Sequence, residues 1–168
     1  MFKEYDPLKN KLFNVMDNDG KIVNEKWMPD IDDDKSLQAY KNMLFARKAD
    51  LMTVSYQRQG RIYTYPPNYG QEAIAGGIAQ VLREDDWVVP AYRELGVWLA
   101  KGATLKEVFL YFMGYEDGSR FEHAKHLLPV SVPIASQLLH ATGIGYEIKY
   151  HKKDEVVYTF VGDGGTSE

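Results

Sequence analysis

The residues best suited to chemistry close the chain. Val161-Gly162-Asp163-Gly164-Gly165-Thr166-Ser167-Glu168 follows Glu155-Val156-Val157-Tyr158-Thr159-Phe160, a β-branched and aromatic run that reads as a buried strand. Glycines let backbone N–H groups approach phosphate oxygens closely, and Asp163 offers the hard oxygen that Mg2+ prefers. In α/β folds a strand ending in such a turn is where anionic cofactors bind. Asp-Gly is also a common turn signal, so the turn alone leaves both readings open. A second candidate is Tyr92-Arg93, just after the short apolar run Trp87-Val88-Val89-Pro90. Arginine presents a planar fork of N–H donors that matches phosphate oxygens, and the tyrosine hydroxyl adds another donor. The plain alternative is a surface arginine paired with Glu94.

These residues need elements to position them. Asp32-Asp33-Asp34 precedes an apolar stripe of Leu37, Tyr40, Leu44, Leu51 and Val54, which predicts a helix running to about Gln59 and stopping at Gly60. Pro66-Pro67 makes 63–69 an extended loop, and 70–82 reads as a helix of small residues. Two helices are expected over 94–101 and 105–113, the second capped by Thr104. Lys101, at the end of the first, reads as an exposed lysine. Residues 114–133 read as a long polar loop, of the kind that is often functional, and 135–150 as a further helix before the closing strand. Residues 1–31 are polar and turn-rich, with Asp17-Asn18-Asp19-Gly20 between two apolar patches, so that a small hairpin or an extended arm both fit. The expected organisation is an N-terminal arm over 1–31 and an α/β domain over 32–168, with strand–helix alternation outweighing an all-helical bundle.

Composition narrows the function classes. The chain has 168 residues and a net charge of −4, which gives no general affinity for nucleic acid or acidic membranes. It has no cysteine, which excludes disulfides, thiolate catalysis and cysteine–zinc sites. The start is no signal peptide and no apolar run reaches transmembrane length, so the expectation is cytoplasmic. A strand and turn of this kind ordinarily lead into a helix and another parallel strand, so the chain is expected to be the front part of a longer protein.

Four segments taken in order carry a resemblance. They are Tyr56-Gln57-Arg58-Gln59-Gly60-Arg61 with Asn68-Tyr69-Gly70-Gln71-Glu72-Ala73; Pro90-Ala91-Tyr92-Arg93-Glu94; Leu128-Pro129-Val130-Ser131-Val132-Pro133-Ile134-Ala135-Ser136-Gln137; and the closing glycine turn. Together they resemble the alpha subunits of the thiamine-diphosphate-dependent decarboxylating component of 2-oxo acid dehydrogenase complexes, most of all the pyruvate type. The resemblance runs from about Asp17 to Glu168. It implies the front part of a thiamine-diphosphate-binding fold, a parallel sheet flanked by helices and apparently truncated.

The resemblance also implies roles. Tyr92 and Arg93 would hold the diphosphate, with backbone N–H groups of Gly164 and Gly165. Val132 and Ile134 would contact the aminopyrimidine ring through their backbones. Asp163 would be a Mg2+ ligand. The family's second metal-binding residue, an asparagine, and its later histidine would fall beyond Glu168, so no catalytic residue is assigned and these residues alone are expected to be inactive. Ser131, Ser136 and Gln137 resemble a potassium site of branched-chain members and equally suit loop and helix capping. Gln71 and Glu72 read as structural, as do the arginines Arg47, Arg58 and Arg61; His123 and His126 read as surface loop residues. One departure stands out: family members usually carry an aromatic residue where this chain has Thr64.

The activity implied is oxidative decarboxylation of a 2-oxo acid, with transfer of the acyl group to a lipoyl carrier. Implied partners are a beta subunit, in an alpha2beta2 heterotetramer, and a lipoyl-bearing acyltransferase core. A branched-chain or acetoin member, or a non-catalytic assembly domain that keeps the cofactor fold, are the alternatives.

Overall fold

The computed structural model describes residues 6–9 and 13–167. They fall into two compact units divided after Asp33. In the first, the Asp17 carboxylate accepts the N–H groups of Asp19 and Lys21, each at 2.9 Å, and folds the Asp-Asn-Asp-Gly turn. Met16 and Ile22 form an antiparallel bridge across it, so the hairpin reading holds at this turn. Asn24 ties its side-chain amide to the Asn14 carbonyl at 2.7 Å.

The second unit is α/β. Helix α1 spans Asp33–Arg58, α2 Glu72–Ala79, α3 Leu95–Lys101, α4 Leu105–Phe112 and α5 Ser136–Tyr150; strands β1 (Trp87–Val89) and β2 (Val157–Thr159) pair in parallel. Trp87 faces Val157, and Val89 faces Thr159. On its other side β1 meets the expected polar loop: Val88 donates to the His126 carbonyl and Leu128 donates to that of Val88, so 127 is an extended neighbour. The loop also holds a 3-10 turn over Glu116–Ser119, where a Gly118 Cβ would lie 1.9 Å from the Tyr111 nitrogen. Only a glycine fits that approach.

Buried Asp86 fastens the lower end of the sheet. It accepts from the Arg83 side chain and from the Val156 N–H, at 2.9 Å, and so joins the entry of β1 to that of β2. Lys101 is not an idle surface lysine. Its ammonium donates to the carbonyls of Arg83, Glu84 and Asp86 at 2.6–2.9 Å. Helix α3 ends at Gly102, with φ +109°. Thr104 caps α4 as expected, exchanging bonds with Glu107 in a capping box. Burial pushes the Glu107 carboxyl up, but bonds from Thr104 and His123 outweigh it and hold it at about 2.

The core is aromatic. Trp98, Phe112 and Phe121 pack with Leu95, Val97 and Val108 around Val88. The α1 stripe behaves differently from its sequence pattern: Leu37, Tyr40, Leu44 and Leu51 are half exposed, and the buried residues are Ala46, Ala49, Asp50 and Thr53. The reason is close helix packing. A Cβ on Gly96 of α3 would lie 2.6 Å from Ala75 and 3.4 Å from Ala46, so small side chains set this contact and larger ones turn outward.

Candidate cofactor site

Both strands deliver candidate residues beyond their C-terminal ends. After β1 the chain runs through Pro90 and Ala91 to Tyr92, Arg93 and Glu94; after β2 it runs through Phe160 and Val161 into the glycine turn. Between them opens a cavity of about 690 Å3 whose lining includes Tyr92, Arg93, Ile134, Asp163, Gly164 and Gly165. Of the seven residues singled out in sequence, only Val132 lies outside it. Val132 lines a second, largely aromatic cavity of about 830 Å3 with Tyr63, Thr64, Tyr65 and Tyr111. Tyr92 and Ile134 line both.

The glycine turn is built for close approach. Gly164 opens a 3-10 turn over Gly164–Ser167, and nothing lies within 4 Å of where its Cβ would stand. Gly165 is the reverse: a Cβ there would lie 2.7 Å from Val161 Cγ2 and 3.3 Å from Ile134 Cγ2. The Asp163 carbonyl accepts from the Thr166 hydroxyl at 2.6 Å and from its N–H at 3.2 Å. These bonds spend the backbone oxygen of Asp163 and leave its exposed carboxylate for other partners. Among the described residues no cluster of three acidic, histidine or cysteine side chains is found, and Asp163 is the acidic side chain that the described part of the glycine turn offers.

A buried polar network holds the arginine loop in place. Asp50 of α1 accepts from the Tyr65 hydroxyl and from the Asn68 N–H, both at 2.7 Å. Asn68 bonds Tyr65 and the Pro66 carbonyl with its amide, and its oxygen takes the Leu95 N–H at 2.9 Å. That last bond satisfies an otherwise orphaned donor at the start of α3. Burial, then the Asp50 bond, push the Tyr65 hydroxyl well above its ordinary range, so it stays protonated. The Arg93 guanidinium donates to the Pro67 carbonyl. Glu72 pairs with Arg47, which holds its carboxyl at about 2, and Arg47 stacks 4.0 Å from the Tyr69 ring centre.

The third wall is the start of α5. Gln137, 3% exposed, donates to the Phe160 carbonyl at 2.6 Å and ties α5 to the end of β2. Ser131 and Ser136 hydroxyls bond each other at 2.8 Å, and Ser136 also donates to the Pro133 carbonyl. Ala135 sits at φ +63°, a left-handed conformation that costs an alanine about 1–2 kcal/mol and lines the cavity.

As a whole the cavity offers one guanidinium, a phenol hydroxyl, bare glycine backbone and the exposed Asp163 carboxylate, with the Glu94 carboxyl also on its wall. That donor set fits a phosphate-bearing ligand together with a divalent cation.

The family model described as dehydrogenase E1 component matches residues 40–168. The chain belongs to the dehydrogenase E1 component family. Curated relatives are named pyruvate dehydrogenase E1 component subunit alpha. One from Acholeplasma laidlawii is 42% identical over 151 residues, covering 90% of this chain and 44% of the relative. One from Mycoplasma genitalium is 35% identical over 165 residues, covering 96% and 46%, and one from Staphylococcus aureus is 31% identical over 160 residues, covering 95% and 43%. The chain therefore spans less than half the length of these relatives.

Within this E1-family chain, sequence reasoning missed Glu94, Asn68 and Asp50. Glu94 was read only as a partner for Arg93. It is instead 8% exposed and lines the cavity, and its carboxylate accepts the Arg93 backbone N–H at 3.1 Å. The network residues act across 15–27 positions of sequence, a separation that no local pattern reports. His123 and His126 are loop residues as read, the first bonded to Glu107 and the second stacked on Trp87.

Proposed function

We propose that this chain supplies the diphosphate- and metal-binding half of a thiamine diphosphate site, in an alpha subunit that decarboxylates a 2-oxo acid, pyruvate above all. The observation that carries the reading is the convergence of Tyr92, Arg93, Asp163, Gly164 and Gly165 on one cavity beyond two parallel strands. Thiamine diphosphate supplies the carbon nucleophile and electron sink for decarboxylation when bound. The chain's residues bind and orient. Arg93 and Tyr92 take phosphate oxygens, the glycine turn offers backbone N–H groups, and Asp163 gives Mg2+ one oxygen. Ile134 and Val132 lead from this cavity into the aromatic one, where Thr64 enlarges and polarises the wall. We read Gln137 as fastening α5 to the end of β2, and Ser131 and Ser136 as holding the loop that enters α5, rather than as a potassium site, since their hydrogen bonds already meet those needs.

The relatives' names favour pyruvate over branched-chain acids or acetoin. A subunit named alpha implies a further subunit; to this we add a beta subunit completing the site in an alpha2beta2 assembly, and a lipoyl-bearing core as acyl acceptor. No helix among the described residues is long and apolar enough to cross a membrane, in keeping with a cytoplasmic enzyme.

Calorimetric titration of the cofactor-free assembled enzyme with thiamine diphosphate and Mg2+ tests the reading. Arg93→Ala removes a charge-assisted bond worth about 1.5–3 kcal/mol, a roughly ten- to hundredfold loss of affinity. Exposed Lys106→Ala serves as the control; Lys101 is unsuited to that use because its ammonium holds three backbone carbonyls. Equal affinities in the two variants would remove Arg93 from the site, and decarboxylation across a panel of 2-oxo acids assigns the substrate.

A further inference from the structure

Glu94 has no evident place in a phosphate site. It is a nearly buried carboxyl on the wall of a cavity that should receive an anion. Among the described residues no lysine, arginine or histidine forms an ion pair with it, and the neighbouring Arg93 guanidinium is turned to the Pro67 carbonyl. On the side of α1 and α2 the charged groups are Arg47 and Glu72, which neutralise each other, and Asp50, a further acid whose carboxylate is taken up by Tyr65 and Asn68. Across the cavity the turn after β2 brings Asp163, a second acid, and Tyr92 adds only a phenol. With the diphosphate present, Mg2+ would offset Asp163 and part of the phosphate charge, and an ionised Glu94 would remain a further anionic group with no cation paired to it. A carboxylate can only accept hydrogen bonds, whereas a carboxylic acid donates one.

We propose that Glu94 is protonated when the diphosphate occupies the cavity, so that cofactor binding takes up a proton from solvent at this carboxyl. This rests on the diphosphate reading above. The step is a single protonation: the carboxylate gains one proton, and the acid then donates to a phosphate oxygen or its water shell. Burial already pushes this carboxyl up to about 7, against backbone hydrogen bonds and Arg93, which lower it. The group is therefore partly ionised near neutrality and has a proton to gain. Affinity should then fall as the pH rises above that range.

The test is titration of the cofactor-free assembled enzyme with thiamine diphosphate and Mg2+ in buffers of different ionisation enthalpy, which counts protons exchanged. Ionisation of the ligand's own phosphate is common to all proteins compared and cancels in the difference. At about half a pH unit above its midpoint, a carboxyl that becomes fully protonated gains roughly 0.8 proton. Wild type should take up that much more than Glu94→Gln, and its affinity should fall about tenfold per further pH unit relative to the variant. Equal proton counts, with both proteins binding, would overturn the proposal and leave the diphosphate reading standing. Failure of the wild type to bind would overturn the diphosphate reading, and the proposal with it. If Glu94→Gln does not fold, the infrared difference spectrum of the wild type decides: a protonated-carboxyl band gained on binding supports the proposal, and its absence overturns it.

Discussion

Two adjacent glycines should separate stability from binding. At Gly165 an added Cβ would stand 2.7 Å from Val161 Cγ2, 3.3 Å from Ile134 Cγ2 and 3.6 Å from Ala135 Cβ. At Gly164 it would meet nothing within 4 Å. Overpacking of this kind costs about 1–3 kcal/mol. Val161 and Ile134 are 39% and 50% exposed and have room to rotate, which places Gly165→Ala near the lower end. A cost of about 1 kcal/mol corresponds to a drop of roughly 2–4 °C in Tm for a domain of this size. Gly164→Ala should leave Tm unchanged. Both should weaken thiamine diphosphate binding, Gly164→Ala because a methyl group stands where phosphate meets bare backbone, and Gly165→Ala because Ile134 shifts into the cavity. Thermal unfolding and calorimetric titration of the two variants, side by side, provide the check. Equal losses of Tm, or a loss confined to Gly164→Ala, would refute the packing argument.

Other outcomes follow from the same geometry. Asp163→Asn should raise the Mg2+ concentration that half-saturates activity, since a neutral amide is the poorer ligand; an unchanged value would place the metal elsewhere. Asn68→Ala should lower stability by about 1–3 kcal/mol in denaturant unfolding, because it strands the buried Leu95 N–H that Asn68 now satisfies at 2.9 Å. For Glu94, the folded value of about 7 lies above the ordinary 4.5, so its contribution to stability is complete below about 4.5 and is lost as pH rises through about 7. Between about pH 5 and pH 8 the wild type should therefore lose up to about 3 kcal/mol relative to Glu94→Gln, measured as paired unfolding curves.

Much of the architecture is legible in residue patterns. Thr104 and Glu107 announce the start of α4, and Gly102 the end of α3, because caps are chemistry within a few residues. The strand-end logic brought Tyr92, Arg93 and the glycine turn to one place. Helix α2 proved shorter than its apolar run: Gly70 is left-handed and gives its N–H to the Glu72 carboxylate, so the helix begins only at Glu72. The buried face of α1 was not legible, since hydrophobicity marks the large residues and the packing selects the small ones. Glu94 was missed for a related reason. An acid after an arginine reads as its salt-bridge partner, and only the three-dimensional arrangement shows the guanidinium engaged elsewhere.

The partition between the two cavities has a consequence of its own. Tyr92 and Ile134 present one side to the phosphate-sized space and the other to the aromatic space. A change in either side chain alters both volumes at once, so neither space can be reshaped through these residues independently of the other. Reshaping the aromatic space alone has to work through its far wall, at Thr64, Tyr111 or Tyr115, where the anion-holding residues are untouched. Any occupant that displaces the partition is felt on both sides, and the two spaces are thermodynamically linked in equal measure in each direction.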